Sequence, residues 1–313
     1  MEGAHDTQSL GPVLVTGATG FLGAWLIAAL LERGETVHAL DIVEDRRLLL
    51  DLAGQERAGE VAWAVADVTD AAQVEKAVAR AGARAVVHLA ALTIPPCRED
   101  PARGVAVNVI GHVNVLEAAR RNGAETVLYT SSAASHPRGP LNAPANVYGV
   151  TKRAVEDISK VYFLDHGLAT IGLRPNVVYG LGRAAGETAA ISEAIRAAAE
   201  GRRYTIPYAS SMCFQYVEEV VEVMLRCLAA RPDGPIVSDI TVEQETVDDL
   251  LAAIRAVEPG AQVDRADRHR PSPDVPLDDA PLRALIGTWR HVPLEEGVRR
   301  TIERHRARLE TAA

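Results

Sequence analysis

A tyrosine and a lysine four positions apart, Tyr148 and Lys152, are the residues of this 313-residue chain best suited to chemistry. In a helix, this spacing places both side chains on one face. A phenol is a poor base at its ordinary pKa of about 10, but a neighbouring ammonium stabilises the phenolate and lowers that pKa. The pair can then accept the proton of a substrate hydroxyl while hydride leaves the same carbon. The spacing alone is a weak signal, because it occurs by chance in many helices.

Two hydroxyl side chains, Ser131 and Ser132, follow the short apolar run 126–129. Open α/β sheets bind ligands at the carboxyl ends of their strands. A hydroxyl at that edge can orient a substrate oxygen beside Tyr148. The alternative is ordinary turn chemistry at the end of a strand.

A glycine-rich turn in the segment 13–23 indicates where a nucleotide would bind. Its glycines have the spacing G-x-x-G-x-x-G. Gly17 permits a tight turn, Gly20 lets a diphosphate approach the backbone, and Gly23 lets the following helix pack closely. The helix N-terminus then offers free N–H groups to the phosphates. The alternative is a glycine turn without a ligand, but the strand before it and the helix after it favour a dinucleotide.

Two carboxylates bear on how the adenosine half of the dinucleotide would be recognised. Asp41 lies 18 positions after Gly23, at the end of the second apolar run. A carboxylate there accepts both ribose hydroxyls of the adenosine half and repels a 2′-phosphate, so it favours NAD over NADP. Asp67, after the third run, is placed to recognise the adenine amino group, although a helix-cap role is also open.

The elements that must position these residues alternate along the first half of the chain. Apolar runs predict strands at 12–16, 36–40, 61–65, 85–91, 126–129 and 169–173. Helical spacing predicts helices at 21–33, 71–81, 105–121 and 147–165. Such alternation is typical of a Rossmann-type α/β fold with a doubly wound parallel sheet.

The alternation breaks after Gly180, which predicts a division into domains. We expect a loose tail at 1–10, an NAD-binding domain at 11–180 and a smaller C-terminal substrate lobe at 181–313. The lobe is expected to be partly interleaved with the sheet, because the segment at about 213–240 contains a helix and a strand suited to it.

Composition excludes several classes of protein. The net charge of −9 argues against a nucleic-acid binder, and the apolar stretch 21–31 is too short to cross a membrane. Cys97, Cys213 and Cys227 include no C-x-x-C pair, and the nine histidines include no H-E-x-x-H pair. We therefore expect a cytoplasmic protein with no metal and a small-molecule substrate.

Taken together, the motifs resemble an extended short-chain dehydrogenase/reductase of the NAD-dependent epimerase/dehydratase family. The matching segments run in order from 13 to 297: the glycine turn 16–23, Asp41, 67–68, 86–91, 108–117, 130–132, Tyr148 with Lys152, 173–175, 178–180, 285–287 and 293–297.

The resemblance implies a role for each matching residue. It implies a catalytic triad of Ser132, Tyr148 and Lys152. It implies an NAD site formed by Gly17, Gly20, Phe21, Leu22, Gly23, Asp41, Asp67, Val68, Leu89, Ala90, Ala91, Asn108, Thr130, Tyr148, Lys152, Pro175 and Val178. Candidate substrate residues are Thr93, Ser132, Ala133, His136, Asn176, Val177, Met212 and Arg270.

Three departures from the family pattern bear on the substrate. Ala133 and Ala134 stand where the dehydratases carry an acid pair, which disfavours elimination of water. Val177 replaces a usual asparagine, and Met212 replaces an arginine that would clamp a diphosphate. The last two substitutions favour a smaller substrate.

Three functions follow from these observations. We expect hydride transfer at a secondary alcohol carbon of a sugar or sugar nucleotide, with epimerisation through a keto intermediate placed first. A net dehydrogenase of a small sugar, sugar acid or hydroxy compound is the second, and a non-catalytic NAD-binding regulator is the third. The resemblance also implies a homodimer, paired through the helices predicted at 105–121 and 147–165.

Overall fold

The computed structural model describes residues 9–270 and 275–312. Its centre is a seven-stranded parallel sheet with the order β10-β6-β5-β4-β1-β2-β3. These strands are β1 (Val13–Thr16), β2 (Val37–Asp41), β3 (Ala62–Val65), β4 (Ala85–His88), β5 (Thr126–Thr130), β6 (Ala169–Arg174) and β10 (Ile236–Asp239).

Five further strands form two small sheets in the C-terminal part, with the orders β11-β9-β7 and β12-β8. They are β7 (Val177–Tyr179), β8 (Tyr204–Ile206), β9 (Ser211–Tyr216), β11 (Gln244–Thr246) and β12 (Val263–Arg265).

Helices cover both faces of the central sheet. In the first half they are α1 (Phe21–Glu32), α2 (Arg47–Gly59), α3 (Ala71–Ala81), α4 (Ile94–Glu99), α5 (Pro101–Val105), α6 (Gly111–Arg121) and α7 (Val147–His166). In the second half they are α8 (Ala189–Ala199), α9 (Val217–Ala230), α10 (Val247–Val257), α11 (Ala280–Ile286) and α12 (Leu294–Ala312). No described helix has both the length and the apolar composition needed to span a bilayer.

The strand order confirms the predicted α/β fold with a doubly wound parallel sheet. Strands β1, β4 and β5 are apolar along their length and almost wholly buried, because helices pack on both of their faces. The order reverses between β1 and β4, and the crevice at this switch point is where such sheets bind ligands. β10 returns from the second half of the chain to pair with β6, in parallel.

Several elements differ from the prediction. α2 is interrupted at Gly54, whose φ of 78° is not helical, and it buries only Leu49 and Ala58, so its sequence shows little periodicity. α8 lies in a segment for which the sequence predicts no helix; it is rich in alanine and mostly buried. The helix predicted at 105–121 is α5, a π-helical turn (Ala106–Ile110) and α6.

Most of the tail predicted at 1–10 lies outside the described residues. At its end, the Ser9 hydroxyl donates a hydrogen bond of 2.8 Å to the carboxylate of Glu35. Leu10 is buried, and its N–H donates to the same carboxylate at 2.9 Å. The chain is therefore anchored to the domain from residue 9.

Candidate active site

A cavity of about 450 Å³ lies at the carboxyl edge of the sheet and brings most of the predicted site residues together. From the predicted cofactor set it is lined by Gly17, Gly20, Phe21, Leu22, Gly23, Leu89, Ala91, Thr130, Tyr148, Lys152, Pro175 and Val178. From the predicted substrate set it is lined by Thr93, Ser132, Ala133, Asn176, Val177 and Arg270.

A smaller cavity of about 250 Å³ adjoins the first across the glycine turn. It contains four more of the predicted nucleotide residues, Asp41, Asp67, Val68 and Ala90. The two cavities share Gly17, Thr19, Gly20, Leu89 and Ala91. Together they form one elongated site, with carboxylates at one end and Tyr148 at the other.

The glycine turn requires glycine for conformational and steric reasons. Gly17 has a φ of 70°, and a Cβ there would come within 2.6 Å of the backbone nitrogen of Ala90. A Cβ on Gly23 would collide with the carbonyl oxygen of Gly17. The turn after β1 therefore packs closely against both α1 and the end of β4.

The first turn of α1 can accept an anion. Gly20 caps the helix without a side-chain hydrogen bond, and no acidic residue occurs in the first turn. The first helical bond runs from the N–H of Ala24 to the carbonyl of Gly20, so the preceding N–H groups face the cavity without helical partners. This arrangement, beside a carboxylate at the end of β2, fits a dinucleotide.

Asp41 serves the glycine turn as well as the cavity. Its Oδ2 accepts hydrogen bonds from the N–H and hydroxyl of Thr19, at 3.0 and 2.7 Å. Asp67 accepts from the N–H and hydroxyl of Thr69, whereas the cap of α3 is Asp70. The alternative role of Asp67 as a helix cap is therefore wrong.

Tyr148 and Lys152 share one face of α7, as their spacing predicts. The Nζ of Lys152 lies 5.7 Å from the centre of the phenol ring and donates to the carbonyl of Thr130 at 2.7 Å. The Ser132 hydroxyl is fixed at the end of β5, where its Oγ accepts from the N–H of Ala134 at 3.1 Å.

The sequence predicts a lowered pKa for Tyr148, but in the structure this pKa is raised. Burial of the hydroxyl end is the largest influence and raises this pKa, whereas the Ser132 hydroxyl and the Arg183 guanidinium lower it. Burial also lowers the pKa of Lys152, to about 8. The protein's own groups thus leave the phenol protonated at neutral pH, because desolvation outweighs the nearby positive charge.

Asn108 does not line the cavity but supports it from behind. It lies buried in the π-helical turn, where its side chain accepts from the N–H of Leu92 and donates to the carbonyl of Leu92. Its Nδ2 also donates to the hydroxyl of Thr151 at 3.0 Å. Asn108 therefore ties the loop after β4 to the turn of α7 that carries Lys152.

His136 and Met212 are the substrate candidates that the structure does not bring to the cavity. The Nε2 of His136 lies 2.7 Å from Oδ1 of Asp239, and both side chains are buried. Met212 is buried in the apolar core. These two expectations are wrong, because His136 pairs with a buried carboxylate and Met212 packs in the core, away from the cavity.

The cavity is also lined by residues that sequence reasoning missed. They are Thr19, Ile94, Gly182, Arg183, Ala184, Ala185, Gly186, Glu187 and Thr188, while Ser131, Ala134 and Arg138 line the cavity beside the predicted Ser132 and Ala133. Most belong to the segment after β7, which is irregular and has no periodicity to detect. Gly182 and Gly186, which follow a strand at the carboxyl edge, are the sequence signal that could have identified this segment as part of the site.

Comparison with known proteins places these features in a family. The model of the NAD dependent epimerase/dehydratase family matches residues 13–240. The chain is 30% identical, over 312 residues, to the UDP-glucose 4-epimerase of Mycolicibacterium smegmatis, covering 93% of this chain and 97% of that protein.

Solved structures agree with this placement. A partial consensus L-threonine 3-dehydrogenase has a TM-score of 0.82 and 26% identity, covering 94% of this chain and 99% of the other. The UDP-glucose 4-epimerase of Thermus thermophilus, in complex with NAD, has a TM-score of 0.75 and 26% identity, covering 94% and 98%. The chain is an NAD-dependent enzyme of the extended short-chain dehydrogenase/reductase type, and it belongs to the NAD dependent epimerase/dehydratase family.

Proposed function

We propose that the protein is a sugar-nucleotide epimerase, which inverts one secondary alcohol carbon of a UDP-sugar through a keto intermediate. One observation carries the proposal. Ser132, Tyr148 and Lys152 line a single cavity with the glycine turn, in a chain similar over nearly its whole length to a UDP-glucose 4-epimerase.

Tyr148 moves the proton in the proposed reaction. A bound NAD would supply the hydride acceptor for the oxidation and the hydride donor for the reduction. In its ionised form, the Tyr148 oxygen takes the hydroxyl proton as hydride leaves the same carbon, and it gives the proton back when the opposite face is reduced. The Ser132 hydroxyl orients the substrate oxygen and stabilises the phenolate by a hydrogen bond. The Lys152 ammonium adds positive charge near the phenol and can bond a ribose hydroxyl.

The remaining residues fall into two groups, one that binds NAD and one that binds the sugar nucleotide. The first turn of α1 holds the diphosphate of NAD, Asp41 holds the adenosine ribose, and Asp67 with Val68 contacts the adenine. Leu89, Ala90, Ala91, Pro175 and Val178 flank the nicotinamide half. At the opposite end, Thr93, Ala133, Asn176, Val177 and Arg270 contact the sugar nucleotide, with Arg138 as an additional cation near its phosphates.

The division into domains follows from this placement. Residues 11–180 form the cofactor domain, and 181–313 mainly form the substrate lobe. The segment at about 213–240 returns to the cofactor domain. The pairing of β10 with β6, and the packing of α9 against α1, support this division.

A net dehydrogenase of a small hydroxy compound is the second candidate. The structural similarity to an L-threonine 3-dehydrogenase favours it. A regulator without activity is disfavoured, since such a protein would not need Ser132, Tyr148 and Lys152 together in one cavity.

The products distinguish the two enzymatic candidates. Purified protein is incubated with UDP-galactose without added NAD, and UDP-glucose is followed by ¹H NMR. In parallel, protein with NAD and L-threonine is followed by absorbance at 340 nm. An epimerase converts the sugar without accumulating NADH, whereas a dehydrogenase gives NADH only with the amino acid. Failure with UDP-galactose, UDP-N-acetylgalactosamine and UDP-galacturonate alike would contradict the proposal.

The protein is further proposed to act as a homodimer through α7. Val150, Val161 and Leu164 are 50%, 49% and 78% exposed. At 100° per residue they fall within about 60° around the helix axis, a sector that they share with the exposed Asp157. Light scattering should show a dimer at micromolar concentration, and Leu164→Glu should shift it to monomer. A monomeric unmodified protein would refute this assembly.

A further inference from the structure

Arg183 lies on a tightly packed turn that follows β7. Gly180 and Gly182 in this turn have φ values of 148° and 92°, which favour glycine. A Cβ on Gly180 would come within 2.6 Å of Val217, and one on Gly182 within 2.5 Å of Leu48. The backbone leading to Arg183 is therefore held between α9 and α2.

A buried hydrogen bond fixes this turn to the helix of the glycine motif. The indole Nε1 of Trp25, on α1, donates to the carbonyl of Leu181 at 2.9 Å, and both residues are buried. The guanidinium carbon of Arg183 lies 5.7 Å from the ring centre of Phe21, the first residue of α1. The cation thus stands over the first turn of α1.

The guanidinium has no anion to balance it. Its Nε is buried without a hydrogen-bond partner, and no carboxylate within residues 9–270 and 275–312 pairs with it. Burial lowers its pKa, although an arginine remains charged. Arg183 as a whole is half-buried, so its charge is partly desolvated. An unpaired, partly desolvated charge favours an anionic ligand. The uncapped N-terminus of α1 adds positive potential at the same place.

We propose that Arg183 binds the diphosphate of NAD, so that a residue of the C-terminal lobe completes the cofactor site begun by the glycine turn. The planar fork of a guanidinium matches the paired oxygens of a phosphate. Arg183 also lines the cavity that contains Tyr148, so a phosphate of the sugar nucleotide offers the same chemistry from a second source. The inference requires only that NAD binds, whichever substrate the enzyme takes.

Equilibrium dialysis tests the assignment without an activity measurement. Binding of radiolabelled NAD is competed with unlabelled ADP-ribose, which has the diphosphate, and with adenosine, which lacks it. Arg183→Gln should weaken NAD and ADP-ribose by about 10- to 100-fold, the usual range for a charge-assisted hydrogen bond. Adenosine affinity should not change. Arg183→Lys should be intermediate, because it keeps the charge and loses the fork.

Arg196→Gln is the matched control. Arg196 borders a neighbouring cavity beside Arg183 but pairs with Glu193 at 2.6 Å, so its loss should leave NAD affinity unchanged. Normal NAD and ADP-ribose affinity in Arg183→Gln, with weakened UDP binding, would overturn the proposal and assign Arg183 to the substrate. Equal weakening of adenosine and ADP-ribose would also overturn it, because the contact would not be with the diphosphate.

Discussion

Arg174 donates a hydrogen bond of 2.7 Å from Nε to the carboxylate of Glu156, a side chain with no exposed surface. The hydroxyls of Ser131 and Ser135 donate to the same carboxylate. Glu156 lies one helical turn beyond Lys152 on α7. This buried ion pair therefore fixes the loop after β5, which carries Ser132, against the helix that carries Tyr148.

Loss of this pair should destabilise the protein strongly. Glu156→Ala leaves the buried Arg174 with only the more distant carboxylate of Asp239, at 4.0 Å. Removing one partner of a buried ion pair costs about 3–5 kcal/mol. Chemical denaturation measures the free energy of unfolding. The control is Arg153→Ala, which removes an exposed pair with Asp157 and should cost less than about 1 kcal/mol. Equal effects of the two variants would refute the structural role of Glu156.

Asp41 should determine the preference for NAD. Its carboxylate repels a 2′-phosphate, so NAD should bind much more tightly than NADP, and Asp41→Ala should narrow the difference. Because Asp41 also holds Thr19, Asp41→Asn is the control that keeps an acceptor for Thr19 while removing the charge. Calorimetry that gives equal affinities for the two nucleotides in the unmodified protein would disprove the assignment.

The dependence of kcat/KM on pH should reflect the ionisation of Tyr148 and of Lys152. Since burial raises the pKa of Tyr148, the phenolate fraction and the rate should increase with pH through neutrality. The pKa of Lys152 is lowered to about 8, so its ammonium is lost above that pH and the rise should level off. Lys152→Arg should be slower but should continue to rise above pH 8, because arginine keeps its charge. A profile that levels off at the same pH in both proteins would contradict this account.

Acid should destabilise the protein through buried neutral histidines. Burial lowers the pKa of His88 from 6.5 to about 3, so the unfolded state binds more protons between these values and stability falls as pH drops below 6.5. His88→Asn should flatten the change of Tm between pH 6.5 and 4. The slope should not vanish, because the pKa of His112 is lowered as well. An unchanged slope in His88→Asn would contradict this assignment.

Local spacing was enough to predict the fold and the centre of the site. The glycines of 17–23, and Tyr148 with Lys152, lie close in sequence, so their geometry follows from one turn and one helix. The doubly wound parallel sheet followed from the alternation of strands with helices. α8 was missed although its run of alanines is a strong helix signal.

Residues that depend on distant partners could not be predicted. His136 was expected near the substrate, but it pairs with Asp239, which lies on β10, more than a hundred residues later. Arg183 was missed because its position depends on packing of the turn against Trp25 and Leu48. The sign of the Tyr148 pKa shift also depends on burial, which no spacing reveals.

The conversion of UDP-galactose by Tyr148→Phe tests the central claim most directly. The substitution removes one oxygen and keeps the ring, so stability and NAD affinity should scarcely change. If Tyr148 carries the proton, the rate measured by ¹H NMR should fall by a factor of about 10² to 10⁴. Lys152→Ala should differ by also losing some NAD affinity. Near-normal turnover by Tyr148→Phe would contradict the account and place the proton acceptor elsewhere.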